Sequence, residues 1–341
     1  MSQIKAVDAG RKYRLREKIV QYFSFSAIVL LVVGLSTTQQ NFLGNSNLTN
    51  LLRDTAPLMI MSVGMTSVLL FGSIDLSMGA VCSVSNVLFV KFLKAFSDNY
   101  AAAGQEPNVA LATFVAFSIS LAFGLAAGFL LGVIHVRLKV PSFSASLAFM
   151  AVWQSAALLI AEVPIAVPMR MWGAVNGFKV SFGVVGLPLL LALMLVALVY
   201  VFQTRTAVGR AMYAIGGNER AARIAGTPVD KTKIAVFTVN GLCAALGGGF
   251  LAAKLRSCAP TIGDPFTLLI VASCVLGGTA LTGGKGSALG TVLGVFTVAI
   301  INNGMNFIGV DAYWQNVVFG VFVLAAIAVS MDRSTRGLTI K

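Results

Sequence analysis

Asp75 is the one acidic residue of this 341-residue chain that stands between two long apolar runs rather than in a polar loop or at an outer end. A carboxylate in hydrocarbon costs about 2.5–3.5 kcal/mol on insertion scales, so it must face a partner or water. Gly72, Ser77 and Gly79 surround it and permit a broken helix. Two kinds of chemistry are open to it. It can accept backbone N–H groups and cap the helix that follows, or it can meet the hydroxyls of a passing solute and take part in a gate.

No catalytic constellation accompanies it. His135 is the single histidine and sits at a helix end, as an ordinary interfacial residue. Cys82, Cys243, Cys258 and Cys274 form no C-x-x-C pair, and three lie inside apolar runs, so they read as small core residues and not as a metal site. The turn from Gly277 to Gly286 is rich in glycine, with Gly278, Gly283 and Gly284 between, but it is not a phosphate loop. A P-loop needs G-x-x-x-x-G-K-[ST]. Counted from Gly278, Gly284 takes the lysine position, and counted from Thr279 the first glycine is missing. The chain is expected to bind no cofactor or metal of its own.

The elements that must hold these residues are membrane helices. Apolar residues make up 57% of the sequence and charged residues 11%, against roughly 45–50% and 25% in soluble domains. A chain this poor in charge cannot cover its surface in water, so most of that surface faces lipid. About 20 apolar residues cross the hydrocarbon core as a helix. Ten spans are expected, at 22–38, 50–71, 75–96, 110–134, 143–161, 184–203, 233–255, 265–282, 286–308 and 313–331. The fold class is all-α, a polytopic helical bundle. Its transmembrane domain covers 22–331, after a polar segment at 1–21 and before a tail at 332–341.

The net charge of +13 is not a nucleic-acid footprint. Most of the 25 Lys and Arg residues collect in short polar segments between spans. The bias fits both termini in the cytoplasm. No short leader precedes the first apolar run, which is therefore expected to be a retained helix. Gly124, Gly128 and Gly132, and again Gly286, Gly290 and Gly294, recur every four residues among the chain's 34 glycines. Such spacing lets helix backbones approach closely in lipid.

One polar stretch, 203–233, does not belong in the bilayer and is expected in the cytoplasm. Asn218 is a good N-cap, and Glu219 places negative charge in the first turn. Ala221, Ala222, Ile224 and Ala225 continue a short helix, Gly226 suits its C′ position, and Pro228 stops it. A helix of two turns is marginal alone in water. It needs a surface, either the membrane or a soluble partner. Small alanines fit a groove, and Arg210, Arg220 and Arg223 could pair with an acidic rim.

At this point the residues resemble a family, the permeases of ribose-type ABC sugar importers. That family repeats a pattern close to G-R-x-x-x-A-I-G-G-N-x-x-A-A-x-x-x-G, present here as Gly209, Arg210, Ala214, Ile215, Gly216, Gly217, Asn218, Ala221, Ala222 and Gly226. Ile74 to Gly79 resembles its I-D-L-S-x-G turn. Val140-Pro141-Ser142-Phe143 with Leu147 resembles V-P-x-F-x-x-x-L. Val275 to Thr279 with Gly283, Gly284 and Gly286 resembles V-L-G-G-T/V-x-x-x-G-G-x-G. The four motifs occur in family order and the similarity runs through nearly the whole chain. Two departures stand out: Thr267 and Leu269 replace an acidic pair common before V-L-G-G, and Ser73 replaces a common glycine.

The resemblance implies a division of labour. Gly209 to Gly226 would couple the chain to separate ABC ATPase subunits, which bind ATP and Mg. Gly72, Asp75, Ser77, Gly79, Gly277, Gly278, Gly283 and Gly284 would form broken-helix or gating turns. A periplasmic sugar-binding protein would deliver the substrate, and a second permease subunit, identical or paralogous, would complete the pathway in the bacterial inner membrane. The rival from the residues alone is a transporter or channel working without ATP. It would need buried ionisable residues for ion coupling, and only Asp75 qualifies. A membrane enzyme would need clustered His, Asp, Glu or Cys near one face.

Overall fold

The structure is a computed structural model that describes residues 29–330 apart from residue 31. The segments 1–21 and 332–341, and the first part of the span at 22–38, lie outside the described residues. The described part of that span is helical over 32–38, named here α1. The remaining helices are α2 (Asn45–Leu70), α3 (Met78–Ala102), α4 (Val109–Arg137), α5 (Ser142–Ile160), α6 (Leu187–Arg205), α7 (Ala207–Gly217), α8 (Glu219–Ile224), α9 (Val229–Leu255), α10 (Phe266–Leu276), α11 (Ala288–Ile308) and α12 (Ala312–Ser330). The all-α expectation holds. Among the described residues strand is confined to two-residue pieces: β1 (Ile165–Ala166) pairs with β4 (Ser257–Cys258), and β2 (Ser181–Phe182) with β3 (Val185–Gly186), both antiparallel.

Six of these helices, α3, α4, α5, α6, α9 and α11, are long and apolar enough to cross a membrane. The burial pattern follows from lipid as solvent. In α5 only Ala145, Ser146 and Ala157 are buried; Phe143, Leu147, Val152, Leu158 and Leu159 are exposed, while Phe149 and Trp153 pack against the core. The opposite case is α2, buried at every position from Thr55 to Leu70. It forms the axis of the bundle, with α6, α9, α10 and α11 packed around it.

Close helix contact comes from glycine, as expected in lipid. A side chain at Gly124 or Gly128 of α4 would collide with the backbone of Gly241 or Phe237 on α9. Gly290 and Gly294 of α11 meet Gly277 and Ser273 at the end of α10 in the same way. The third member of that second series behaves differently. Gly286 lies in the turn before α11 with φ +141°, so the ladder expected there has two helical rungs and not three.

The eighth expected span, 265–282, is corrected most. Only Phe266–Leu276 is helical, 11 residues. That length rises about 16 Å, roughly half of the hydrocarbon thickness. The chain reaches the start of α10 through a non-helical stretch whose Gly263 packs on the backbone of Gly79 in α3, and whose Gly263 N–H donates to Ser83 Oγ at 2.9 Å. Irregular backbone at depth is tolerated only where protein satisfies it, as this contact does.

Candidate functional site

The segment from Ser73 to Ser77 is non-helical and almost wholly inside the protein. Gly72 turns the chain with φ +80°, a conformation L side chains rarely adopt. The chain then runs past Asp75, 2% exposed, into α3. Asp75 Oδ1 accepts from the Ser77 amide at 2.9 Å and the Ser77 hydroxyl at 2.6 Å. Asp75 Oδ2 accepts from Asn240 Nδ2 of α9 at 2.8 Å. Three donors thus converge on one carboxylate, which closes the turn before Met78 and ties it to a second helix. Asn240 Oδ1 has no protein partner.

The polar segment after α6 folds further than its sequence suggested. Residues 207–217 form α7, whose Gly209, Ala211, Met212 and Ile215 are buried. Thr206 Oγ1 caps it, accepting from the Gly209 amide at 3.0 Å. Asn218 ends α7 and starts α8: its N–H donates to Ala214 O at 3.1 Å, and its Oδ1 accepts from the Ala221 amide at 3.0 Å. Glu219 is in the first turn of α8 and Ala222 is its one buried residue. Gly226 follows with φ +81°, and its amide donates to Arg223 O at 3.1 Å.

Charges lock α8 onto the start of α9. Arg223 donates to Asp230 Oδ1 at 2.8 Å and to Glu219 Oε1 at 3.4 Å, and Lys233 to Glu219 Oε2 at 2.8 Å. Arg223 is therefore engaged within the chain, and the expected basic ring is reduced to Arg210 and Arg220. Burial pushes the Glu219 carboxyl up, but Lys233 and Arg223 together outweigh it and hold it below the usual glutamate range. The Arg223 guanidinium does the same for Asp230. The outward side of α8 carries Arg220, Ala221, Ile224 and Ala225, all exposed, with Ile224 at 81%.

The third motif forms the turn between α10 and α11. Gly278, Gly283 and Gly284 all have φ near +80°. Ala280 N–H donates to Lys285 O at 3.0 Å and Gly283 N–H to Ala280 O at 3.1 Å. Ser287 Oγ caps α11 by accepting from Gly290 N–H at 3.0 Å.

These three segments, more than 200 residues apart at their extremes, meet at one end of the bundle. Gly284 N–H donates to Leu70 O, the last residue of α2, at 2.7 Å. Gly216 of α7 lies against Leu70 O and the Gly284 amide so closely that a Cβ would collide with both. A Cβ on Gly283 would come within 2.6 Å of Gly72 N. Tyr213 Oη donates to Gly286 O at 2.9 Å. Of the residues singled out in the sequence, Gly72, Gly216, Gly283 and Gly284 stand in this junction. Asp75, Ser77 and Gly79 lie further along the re-entering segment, and Gly277 packs on Gly290 of α11. Gly217 has open space around it.

One residue of the junction was not singled out. Gln203, at the end of α6, is 1% exposed. Its Nε2 donates to Ser67 Oγ of α2 at 3.1 Å, and its Oε1 accepts from the Ala288 amide at the start of α11 at 3.0 Å. The signal was present: an amide at the end of the long apolar run of α6 needs partners.

No group of three or more His, Cys, Asp or Glu side chains that could hold a metal ion occurs among the described residues. All four cysteines are free and buried. His135 Nδ1 lies 2.8 Å from Val140 O, a local contact after α4.

A bundle of apolar helices around a buried axis, with short helices gathered at one end, is compatible with a membrane transport subunit. The sequence agrees. Residues 47–327 match the family described as "Branched-chain amino acid transport system / permease component", and the chain belongs to it. It is 33% identical over 328 residues to the ribose import permease protein RbsC of Escherichia coli, covering 94% of this chain and 97% of that protein. It is 35% identical over 314 residues to RbsC of Bacillus subtilis, 91% of each. It is 33% identical over 373 aligned positions to the xylose transport system permease protein XylH of Escherichia coli, 92% of each. The chain is a multi-pass membrane protein.

Proposed function

We propose that this chain is the transmembrane subunit of an ATP-binding-cassette importer that carries a simple sugar, or a polyol like one, into a bacterial cell. The observation that carries the reading is similarity along more than nine-tenths of the chain to permeases named for ribose and for xylose. The family description names branched-chain amino acids, but RbsC and XylH, which match along more than nine-tenths of this chain, are named for ribose and xylose. A neutral, hydroxyl-rich solute also suits a bundle in which Asp75 is the buried acid and is already satisfied within the protein.

ATP and Mg are bound by separate ATPase subunits, for which α8 is the docking element. Its Ile224 is an apolar knob between small alanines, with Arg220 beside it for an acidic rim. The α8 end is cytoplasmic, ten spans cross the membrane with both termini inside, and a second permease, identical or paralogous, completes the pathway. A periplasmic binding protein selects the sugar, and the bundle opens alternately to each side. A transporter working without ATP would leave the exposed face of α8 without a task.

The test is copurification and reconstitution. The tagged chain should bring down an ATPase subunit from its native membrane. In liposomes with that subunit and the binding protein, it should import a labelled pentose only when ATP is present. Uptake by the chain alone, without any ATPase subunit, would overturn the reading.

A further inference from the structure

The junction of Leu70, Gly216 and Gly284 has a mechanical property that ordinary side-chain packing lacks. Where helices touch through side chains, rotamer changes absorb small displacements. Here the backbones themselves are in contact. Gly216 faces the carbonyl of Leu70 and the amide of Gly284 with no side chain between, and those two groups are hydrogen-bonded to each other at 2.7 Å. Gly283 is also close: a Cβ there would lie 2.6 Å from Gly72 N and 3.0 Å from Gly216 Cα. Tyr213, one turn earlier on α7, adds a tether to Gly286 O.

Both sides of this contact are stiff. On one side, α7 and α8 share the single residue Asn218, and α8 is pinned to α9 by Arg223 and Lys233. On the other side, Leu70 ends the buried axis α2, Gly72 opens the segment that holds Asp75, and Gly284 lies in the turn that joins α10 to α11. Packed interfaces of this kind switch between discrete arrangements and do not deform smoothly.

We infer that Gly216, Gly283 and Gly284, tethered by Tyr213, are the positioning residues through which a movement of the α7–α8 pair shifts the end of α2 and the α10–α11 turn together. The inference rests on the coupling role proposed for α8. It adds the route and the residues that form it. It assigns Gly217 no part, because its neighbourhood is empty.

The experiment uses the full chain assembled with its copurified ATPase subunit in lipid nanodiscs. Leu289 at the start of α11 is 54% exposed and the four native cysteines are buried, so Leu289→Cys carries a bimane fluorophore selectively. Addition of Mg-ATP should shift the fluorescence of the parent. Gly216→Ala should reduce that shift several-fold while ATPase still copurifies, Tyr213→Phe should reduce it by about half, and Gly320→Ala, in α12 with open space around it, should leave it unchanged. A parent that shows no shift, or a Gly216→Ala complex that shifts as the parent does, would overturn the inference. If Gly216→Ala does not assemble, Tyr213→Phe decides: an undiminished shift rejects the route. Failure of the parent to bind any ATPase subunit is a different result, and it removes the proposed function itself.

Discussion

Asp75 illustrates how a buried carboxyl group is satisfied without a counter-ion. Three donors, two from Ser77 and one from Asn240, replace the water it loses. Leaving a buried donor unsatisfied costs about 1–3 kcal/mol each. Asp75→Ala strands all three and should lower the midpoint of thermal unfolding in detergent by several degrees. Asp75→Asn should cost far less. Its amide oxygen still accepts from Ser77, and a flip of Asn240 presents the oxygen that now has no partner. Equal losses for the two variants would show that charge, not capping, is what the site requires. Gln203→Leu is expected to destabilise by a similar 1–3 kcal/mol, because it orphans the Ala288 amide at the start of α11. The capping of α8 by Asn218 was legible from residue types alone, since cap chemistry is local. The partner of Asp75 was not, because Asn240 is 165 positions away and nothing local announces it.

At the scale of elements, α8 is held to α9 by charge pairs whose members are about half exposed, except Lys233 at 12%. Exposed pairs contribute about 0–1 kcal/mol each, so their effect is on orientation more than on global stability. Glu219 and Asp230 have carboxyl pKa values below their usual range. A depressed folded pKa stabilises fully above the unfolded value, near 4, and the gain disappears as pH falls through the folded value. Hydrogen exchange of the Ala221–Ala225 amides should therefore stay slow near neutrality and accelerate, relative to the intrinsic rate, below about pH 4. High salt should have a similar, smaller effect at pH 7. For the α4–α9 pair, Gly128→Ala should force the backbones apart and cost about 1–3 kcal/mol, read as a lower unfolding midpoint, whereas Gly320→Ala, with open space around it, should be neutral. Long apolar runs made most spans legible. The end of α10 was not, because residues 277–282 carry no charge and hydropathy cannot see that Gly278 has turned the chain. Helix α7 was missed for the reverse reason: Gly209 and Arg210 made it look like loop, although Ala211, Met212 and Ile215 already mark a buried helical face.

For the whole molecule, the sequence order of the motifs conveyed membership in a family but not their meeting. The turn at Gly72, the end of α7 and the turn at Gly283–Gly284 are joined by folding of the entire bundle, and a single sequence has no signal for contacts of that range. The molecule-level prediction is assembly. Replacing Ile224, the exposed knob of α8, with Glu should abolish copurification of the ATPase subunit while leaving the unfolding midpoint of the isolated permease within about a degree, since that side chain is 81% exposed. Retained copurification would place the docking surface elsewhere.

The buried axis also has a consequence for how the protein is made. Because α2 is enclosed by protein from Thr55 to Leu70, that stretch need not satisfy lipid, and it carries Thr55, Ser62, Thr66 and Ser67 directly after Arg53 and Asp54; the helix is absent from the six apolar enough to span. A nascent segment enters the bilayer according to its own apolarity. In a translocon insertion assay, α4, which has no charged residue before Arg137, should partition into the membrane alone. The α2 segment should be rejected as an isolated insert and accepted when α3 and α4 follow it. The helix at the centre of the mature structure would then be among the last to be secured during synthesis, retained by its neighbours instead of by the lipid.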